Sequence, residues 1–180
     1  MKTLLRAALL VLIASALSAQ DRSRPWVRDT AQRGDLPLVD KSGVADLIVS
    51  PEDHKVVSLA AADLASDIAR VTGRAPALRT ALNAASSAVV IIGTVGKSLV
   101  VDALVSAGKL DAAALLGAWE SFMIATVEEP FPGVARGLVI AGSDRRGTAF
   151  GVYELSQAIG VSPWHWWADV TPTKRPALYV

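Results

Sequence analysis

The sequence predicts an α/β (α+β) sandwich: a mixed β-sheet of four to five strands with three flanking helices. Three observations carry that expectation. Apolar residues recur at helical spacing in two long stretches, about 54–72 and 144–159, each closed by a glycine, Gly73 and Gly160. Ala88 to Ile92 is a continuous apolar run rich in β-branched residues, the composition of a central strand covered on both faces. Trp119 to Val127 and Arg136 to Ala141 alternate as strands do, and the segment between them carries two prolines and a glycine, so the two read as an antiparallel hairpin. A hairpin added to strands that alternate with helices makes the sheet mixed.

The chain begins with a segment to be set aside before fold reasoning. Lys2 and Arg6 give a basic start, Ala7 to Leu17 is apolar and too short to span a bilayer, and Leu17-Ser18-Ala19 offers small residues for cleavage before Gln20. Residues 1–19 therefore read as a signal peptide, and a secreted or periplasmic location is expected, with no membrane contact once the signal is removed. Residues 20–45 are polar and punctuated by Pro25, Gly34, Pro37 and Gly43; they read as a leader with a short extended piece at Leu36 to Val39. Residues 46–180 form the domain.

Within it, Leu47 to Val49 reads as a buried strand closed by Ser50-Pro51, with Asp53 placed to cap the following helix. That helix, about His54 to Thr72, puts Val57, Leu64, Ile68 and Val71 on an apolar face and Asp63, Asp67 and Arg70 on the opposite one. Pro76 to Arg79 is a candidate edge strand and Leu82 to Ser87 a loop. After the central strand, Gly93 to Gly96 lead into a helix from Ser98 to Ala107 stopped by Gly108, and Asp111 to Leu116 adds a helical turn.

The richest stretch follows the hairpin, from Gly142 to Asp169. Ser143 or Asp144 caps a helix whose buried stripe is Val152, Leu155 and Ile159. Gly147 and Gly151 share one face of it. Each glycine costs about 1 kcal/mol against alanine inside a helix, so the pair predicts another backbone in close approach. Beyond Gly160 come Trp164, Trp166 and Trp167 with His165 among them; Pro163 and Pro172 bracket the segment as irregular or extended rather than helical.

Lys and Arg total 18 against 17 Asp and Glu, a net charge of +1 with no basic block, which argues against nucleic acid as a partner. Cysteine is absent, so there is no disulfide framework and no thiolate metal site, and His54 and His165 are the only histidines, too few for a three-histidine metal site. No cofactor is expected. Gly93-Thr-Val-Gly-Lys97-Ser98 looks like a phosphate loop but lacks the earlier glycine, since position 91 is isoleucine, and it reads as a plain glycine turn. Glu128 and Glu129 fall in the hairpin loop as solvated side chains, and no pair of carboxylates stands out as a hydrolase pair. No catalytic residue emerges from the sequence.

Two features have competing readings. Arg145 and Arg146 oppose the helix dipole in the first turn, so an acid is expected near them: either Asp144 or another carboxylate of the chain, or a ligand carboxylate held by guanidinium and backbone N–H groups together. The segment Trp164 to Asp169 suits a carbohydrate-lined cleft, because indole faces stack on sugar rings while His165 and Asp169 supply hydrogen bonds; the alternative is that the rings fill a core or a domain interface.

The run Gly-Ser-Asp-Arg-Arg-Gly-Thr-Ala-Phe-Gly-Val-Tyr-Glu-Leu-Ser from Gly142, continued by Ile-Gly-Val-Ser-Pro-Trp-His-Trp-Trp-Ala-Asp-Val to Val170, resembles the end of the N-terminal domain in the xylan α-1,2-glucuronidases of glycoside hydrolase family 115. Weaker likeness reaches back to Leu47 through Ser-Pro-Glu-Asp-His and Ile-Ile-Gly-Thr-Val-Gly-Lys-Ser. The chain is more distantly similar to the small α/β domain preceding the barrel in other α-glucuronidases and in β-hexosaminidases. The resemblance implies a large secreted enzyme that removes glucuronic acid or its 4-O-methyl form from xylan, with its catalytic carboxylates in a barrel beyond Val180. The partners it implies are that downstream barrel of the same chain and a xylan-type polysaccharide. On this expectation the present chain is the non-catalytic front piece of a longer protein, ending at or inside a strand at Pro176 to Val180. Asp144, Arg145, Arg146, Trp164, His165, Trp166, Trp167 and Asp169 would then support the barrel or edge its cleft. Where the family form has tyrosine, this chain has His165. A free-standing secreted carbohydrate-binding module is the alternative.

Overall fold

A computed structural model describes residues 26–80 and 87–180. The expected signal peptide, the first part of the leader and the loop at 82–86 lie outside the described residues. Five strands form the main sheet: β2 (Asp46–Val49), β3 (Leu78–Arg79), β4 (Ala88–Thr94), β5 (Phe122–Glu128) and β6 (Arg136–Gly142). Their order is β3-β2-β4-β6-β5, with β2, β3, β4 and β6 parallel and β5 antiparallel to β6. The mixed sheet and the hairpin are thus as the sequence predicts, and β4, every residue of which is buried, lies at the centre.

Helices cover both faces. Helix α1 (Lys55–Thr72) and helix α3 (Arg145–Ala158) lie on one face, helix α2 (Leu99–Ser106) on the other. The alternation along β4 decides which side chain serves which core: Val90 and Ile92 join Leu64, Ile68, Val152 and Leu155 on the first face, while Val89 and Ile91 join Val101 and Leu104 on the second. Each helix stops where a glycine was expected to stop it: Gly73 takes φ 78° and donates its N–H to Ala69, and Gly160 takes φ 107°. A 3-10 turn, Ala113–Leu115, stands where one helical turn was predicted.

Three expectations are corrected. The described part of the leader is not a free segment: Val27, Leu36, Leu38, Val39 and Ala45 are core residues. Strand β1 (Pro37–Val39) pairs antiparallel with β7 (Leu178–Tyr179) as a second, two-stranded sheet, closed by reciprocal bonds between the backbones of Leu36 and Val180 at 2.7 and 2.9 Å. Asp53 does not cap α1, whose cap position is His54; its Oδ2 instead accepts from the Thr94 N–H at the end of β4, 2.7 Å away. Asp67, assigned to the polar face of α1, is 7% exposed because α3 packs over that side of the helix.

The tryptophan segment also differs from its expected form. His165–Ala168 makes one helical turn, α4. Pro163 sits before that turn, where a missing N–H costs nothing, and the Ser162 hydroxyl accepts from the Trp164 N–H at 3.2 Å. Downstream, Arg175 fixes the chain end to the helical layer: its guanidinium donates to the free carbonyls of Ala158 and Ile159 at the end of α3, at 3.3 and 3.1 Å, and pairs with Asp29. Among the described residues, no helix is long and apolar enough to cross a membrane.

Candidate functional site

The turn into α3 is a structural joint. Asp144 caps the helix, with Oδ1 accepting from the N–H groups of Arg146 and Gly147 at 2.8 and 2.9 Å. Its Oδ2 accepts from the Glu120 N–H at 2.7 Å, and Ser143 Oγ accepts from the Ser121 N–H at 3.0 Å. The backbone donors, Gly147 first and Glu120 next, hold the Asp144 carboxyl below the usual carboxylate range. The acid expected near the two arginines belongs to the chain: Glu120 pairs with Arg146 at 2.7 Å, and the same guanidinium lies 5.8 Å from the centre of the Phe150 ring. Arg145 points to solvent without an ion-pair partner among the described residues.

Gly147 explains itself here. A Cβ on it would lie 2.2 Å from the Ser121 carbonyl oxygen, and one on Gly151 would lie 2.7 Å from Ile140 Cγ2. The backbone approach inferred from the glycine pair is met at Gly147, by the segment entering β5; Gly151 instead meets the side chains of Ile140 and Phe122.

Trp164 is 65% and Trp167 84% exposed, so these two rings fill no part of the domain's own core. The reading of them as internal packing fails for both. Trp166 lies in the same turn; His165 Nδ1 is 2.8 Å from the Val170 carbonyl oxygen, and Asp169 follows α4 with φ 51°. This cluster and the Asp144 turn do not meet. They lie beyond opposite ends of the 14-residue helix α3, about 20 Å apart along its axis at 1.5 Å per residue.

In open α/β sheets ligands commonly bind outside the carboxyl ends of the strands, where successive connections leave for opposite faces. That point lies between β2, which leads to α1, and β4, which leads to α2. Here it is filled by protein. Asp53 occupies the Thr94 N–H, the Thr94 and Thr148 hydroxyls bond to each other at 2.8 Å, and a Cβ on Gly93 would collide with Ser98 Cβ at 2.3 Å. The Gly96 N–H is taken by Asp102 Oδ1 at 2.8 Å, so the phosphate-loop look-alike is a glycine turn whose donors are used internally. Glu128 is solvated as expected, but it ends β5 rather than lying in the hairpin loop, and it pairs with Arg136 at 2.7 Å.

A cavity of about 490 Å³ opens between α1 and α3. Asp63, Asp67 and Arg70 line it from α1, and Tyr153, Ser156 and Gln157 from α3; Val161 and Pro163 form the wall that leads to Trp164. Both sets follow helical neighbour spacing, i, i+4, i+7 and i, i+3, i+4, so each presents one stripe to the other. The sequence contained that spacing, but only the packing of α1 on α3 turns two polar stripes into one site. Arg70 holds Asp67 at 2.6 Å, and the Tyr153 hydroxyl donates to Asp63 at 2.7 Å. Burial pushes the Asp67 carboxyl up; the Ser156 hydroxyl and Arg70 pull it back and Asp63 adds to the rise. Ser156 is 4% exposed, and its Oγ faces Asp67 without completing a well-formed hydrogen bond to any group. Both carboxylates are already engaged by the protein, an arrangement that fixes acceptors in place rather than freeing a nucleophile. No three His, Cys, Asp or Glu side chains among the described residues are grouped to hold a metal ion.

Tyr153 gives this cavity a spectroscopic handle. Desolvation, then the Asp63 bond and charge, push its phenol up from 10 to about 12. A raised folded-state value favours the protonated form, so the stability it brings is complete below 10 and lost as pH rises through about 12. In a tyrosinate absorbance titration the Tyr153 step is expected near that upper value and to move down in Asp63→Asn. A step that stays where it was would remove the Asp63 contact as a cause.

No protein-family model matches the chain, and no curated protein matches it. Among solved structures, the fold is similar to that of BtGH115A, a family GH115 4-O-methyl-α-glucuronidase with specificity for decorated arabinogalactans, with 34% sequence identity and a TM-score of 0.59. The match covers 74% of this chain and 16% of that enzyme, so the chain spans a small fraction of its length. The α/β sandwich described above is therefore a GH115-related domain, akin to part of a glycoside hydrolase.

Proposed function

We propose that this chain is a non-catalytic N-terminal domain of a secreted glycoside hydrolase that removes glucuronic acid or its 4-O-methyl form from a decorated plant polysaccharide. Glucuronoxylan is the substrate suggested by the sequence resemblance, and a decorated arabinogalactan the one suggested by the structural neighbour. The observation that carries the reading is the exposure of Trp164 and Trp167, 65% and 84%, on a single helical turn. Two indoles left in water by a domain with a complete core of its own are a surface made to be covered, here by a following barrel that holds the catalytic acids or by sugar at its cleft. Asp144 and Arg146 support this role indirectly, by holding the segment entering β5 against α3.

The test pairs an assay with the reading frame. The chain alone, incubated with glucuronoxylan and with arabinogalactan, is expected to release no uronic acid, while a longer product of the same frame releases it. Release by the chain alone would overturn the non-catalytic role. A frame that closes directly after Val180, with retention of the chain in polysaccharide-containing gels, would leave the free-standing carbohydrate-binding module as the correct reading.

A further inference from the structure

We infer that the open edge of β5 is a docking surface for a second copy of this chain, joined strand to strand across a two-fold axis. Strand β5 comes last in the order β3-β2-β4-β6-β5, so only β6 pairs with it. It is seven residues long and mostly exposed or half-buried, whereas β6 beside it is buried from Gly137 to Gly142. The register with β6 runs unbroken from Phe122 opposite Gly142 to Glu128 opposite Arg136. Just outside it, the Ser143 N–H donates to the Ser121 carbonyl and the Glu129 N–H to the Ala135 carbonyl, at 2.8 and 2.9 Å. Those two bonds fix the alternation. Odd-numbered residues of β5 turn their backbone groups to β6, and Phe122, Ile124, Thr126 and Glu128 turn theirs to the open edge. Natural sheets blunt such an edge with lysine, proline or a bulge, and β5 has none of them.

The occupant follows from self-complementarity. Antiparallel pairing of β5 with its own copy, centred on Ala125, sets Phe122 opposite Glu128 and Ile124 opposite Thr126. Each of these residues then exchanges its outward N–H and C=O with its counterpart, and none is left over. Ala125, the smallest side chain of the strand, lies on the axis at a non-hydrogen-bonded position, where the two backbones come closest. No like charges meet: Met123 faces Val127 on one side of the sheet, Ile124 faces Thr126 on the other, and each Glu128 keeps its own Arg136. The sheet's other edge, β3, has only two residues, so an edge of matching length is found on β5 of another copy, and the isologous pair closes without polymerising. An open groove lined by Trp26, Ile124, Leu138 and Val180 follows the same edge and has room for apolar side chains from across the axis. A formal net charge of +1 opposes the approach of two copies little. None of this depends on the polysaccharide reading.

The experiment measures sedimentation equilibrium and amide hydrogen exchange of the chain from micromolar to millimolar concentration. A monomer–dimer equilibrium is expected. The amides of Phe122, Ile124, Thr126 and Glu128 should exchange freely when dilute and slow as the dimer forms, while those of Met123, Ala125 and Val127 stay protected throughout. Thr126→Pro removes an outward N–H and leaves the bonds to β6 intact; two-fold symmetry counts the loss twice, at about fivefold per hydrogen bond, so dimerisation should weaken about twentyfold. Thr126→Lys, which changes only an exposed side chain, should weaken it as well, and unchanged thermal midpoints in dilute solution separate lost pairing from lost folding. A dimer that persists in both variants pairs by another face and overturns the inference, as does a chain that stays monomeric at millimolar concentration. Slow exchange of the outward amides in the dilute monomer would also overturn it, since the edge would then be covered by its own chain. The same protection in a longer product of the frame, without a dimer, would give the edge to a neighbouring domain in place of a second copy.

Discussion

Gly147→Ala is expected to destabilise the domain by about 2 kcal/mol or more, although alanine is the better helix former by about 1 kcal/mol. The added methyl carbon would lie 2.2 Å from the Ser121 carbonyl oxygen and 2.9 Å from its backbone nitrogen. Those atoms cannot rotate away as a side chain would. They are held by the Ser143 hydroxyl, by the bond from the Ser143 N–H to the Ser121 carbonyl at 2.8 Å, and by the neighbouring bond from Glu120 to Asp144. To admit the methyl, either α3 lifts from the sheet or the entry to β5 is pushed out, and both uncover Ile140 and Phe122 beneath Gly151. Urea denaturation measures the cost, with Gly43→Ala as the comparator, since a Cβ at Gly43 meets nothing within 4 Å. Equal midpoints for the two variants would mean that the helix and the strand entry do not touch as described.

Asp53→Ala should cost about 2 kcal/mol, by a different route. The substitution leaves the buried Thr94 N–H without its acceptor and frees the His54 N–H that Asp53 Oδ1 holds at 2.7 Å. Asp53→Asn keeps an acceptor oxygen of the same reach and should recover a good part of the loss. Hydrogen exchange at the Thr94 amide distinguishes the mechanisms: it should accelerate strongly in the alanine variant and little in the asparagine one. Equal losses in the two variants would assign the effect to charge rather than to the hydrogen bond.

What the sequence made legible follows from how far each signal reaches. Helices α1 and α3 are visible because Val57, Leu64, Ile68, Val152, Leu155 and Ile159 repeat at helical spacing and a left-handed glycine closes each run, all within one stretch of chain. The close approach at Gly147 is legible for the same reason, since an unfavourable residue inside a helix needs a cause nearby. Its partner, Ser121, is not, because no local pattern names a residue across the fold. Asp53 shows the limit plainly: its position suggested a helix cap, but its bond goes to Thr94 on another strand.

The candidate site was half legible. The residues beyond Gly160 stood out as unusual chemistry, and the exposure of Trp164 and Trp167 gives that stretch an outward role, but Pro163 and Pro172 hid the helical turn that displays them. The α1–α3 cavity was not visible at all. Asp63, Asp67 and Arg70 have the composition of a solvated helix face, and only the burial of that face under α3 makes it a pocket. In residues 26–45 the extended piece expected at Leu36 to Val39 is strand β1, but the polar average of the stretch hid that the core takes up Leu36, Leu38 and Val39.

The pairing of β1 with β7 has a consequence for biosynthesis. Leu36 and Leu38 leave the ribosome early, but Leu178 and Tyr179, which complete the sheet over them, emerge about 140 residues later. At bacterial to eukaryotic elongation rates the delay is on the order of ten seconds. Throughout it the nascent polypeptide carries two bulky aliphatic side chains uncovered, a surface suited to a holding chaperone until β7 arrives.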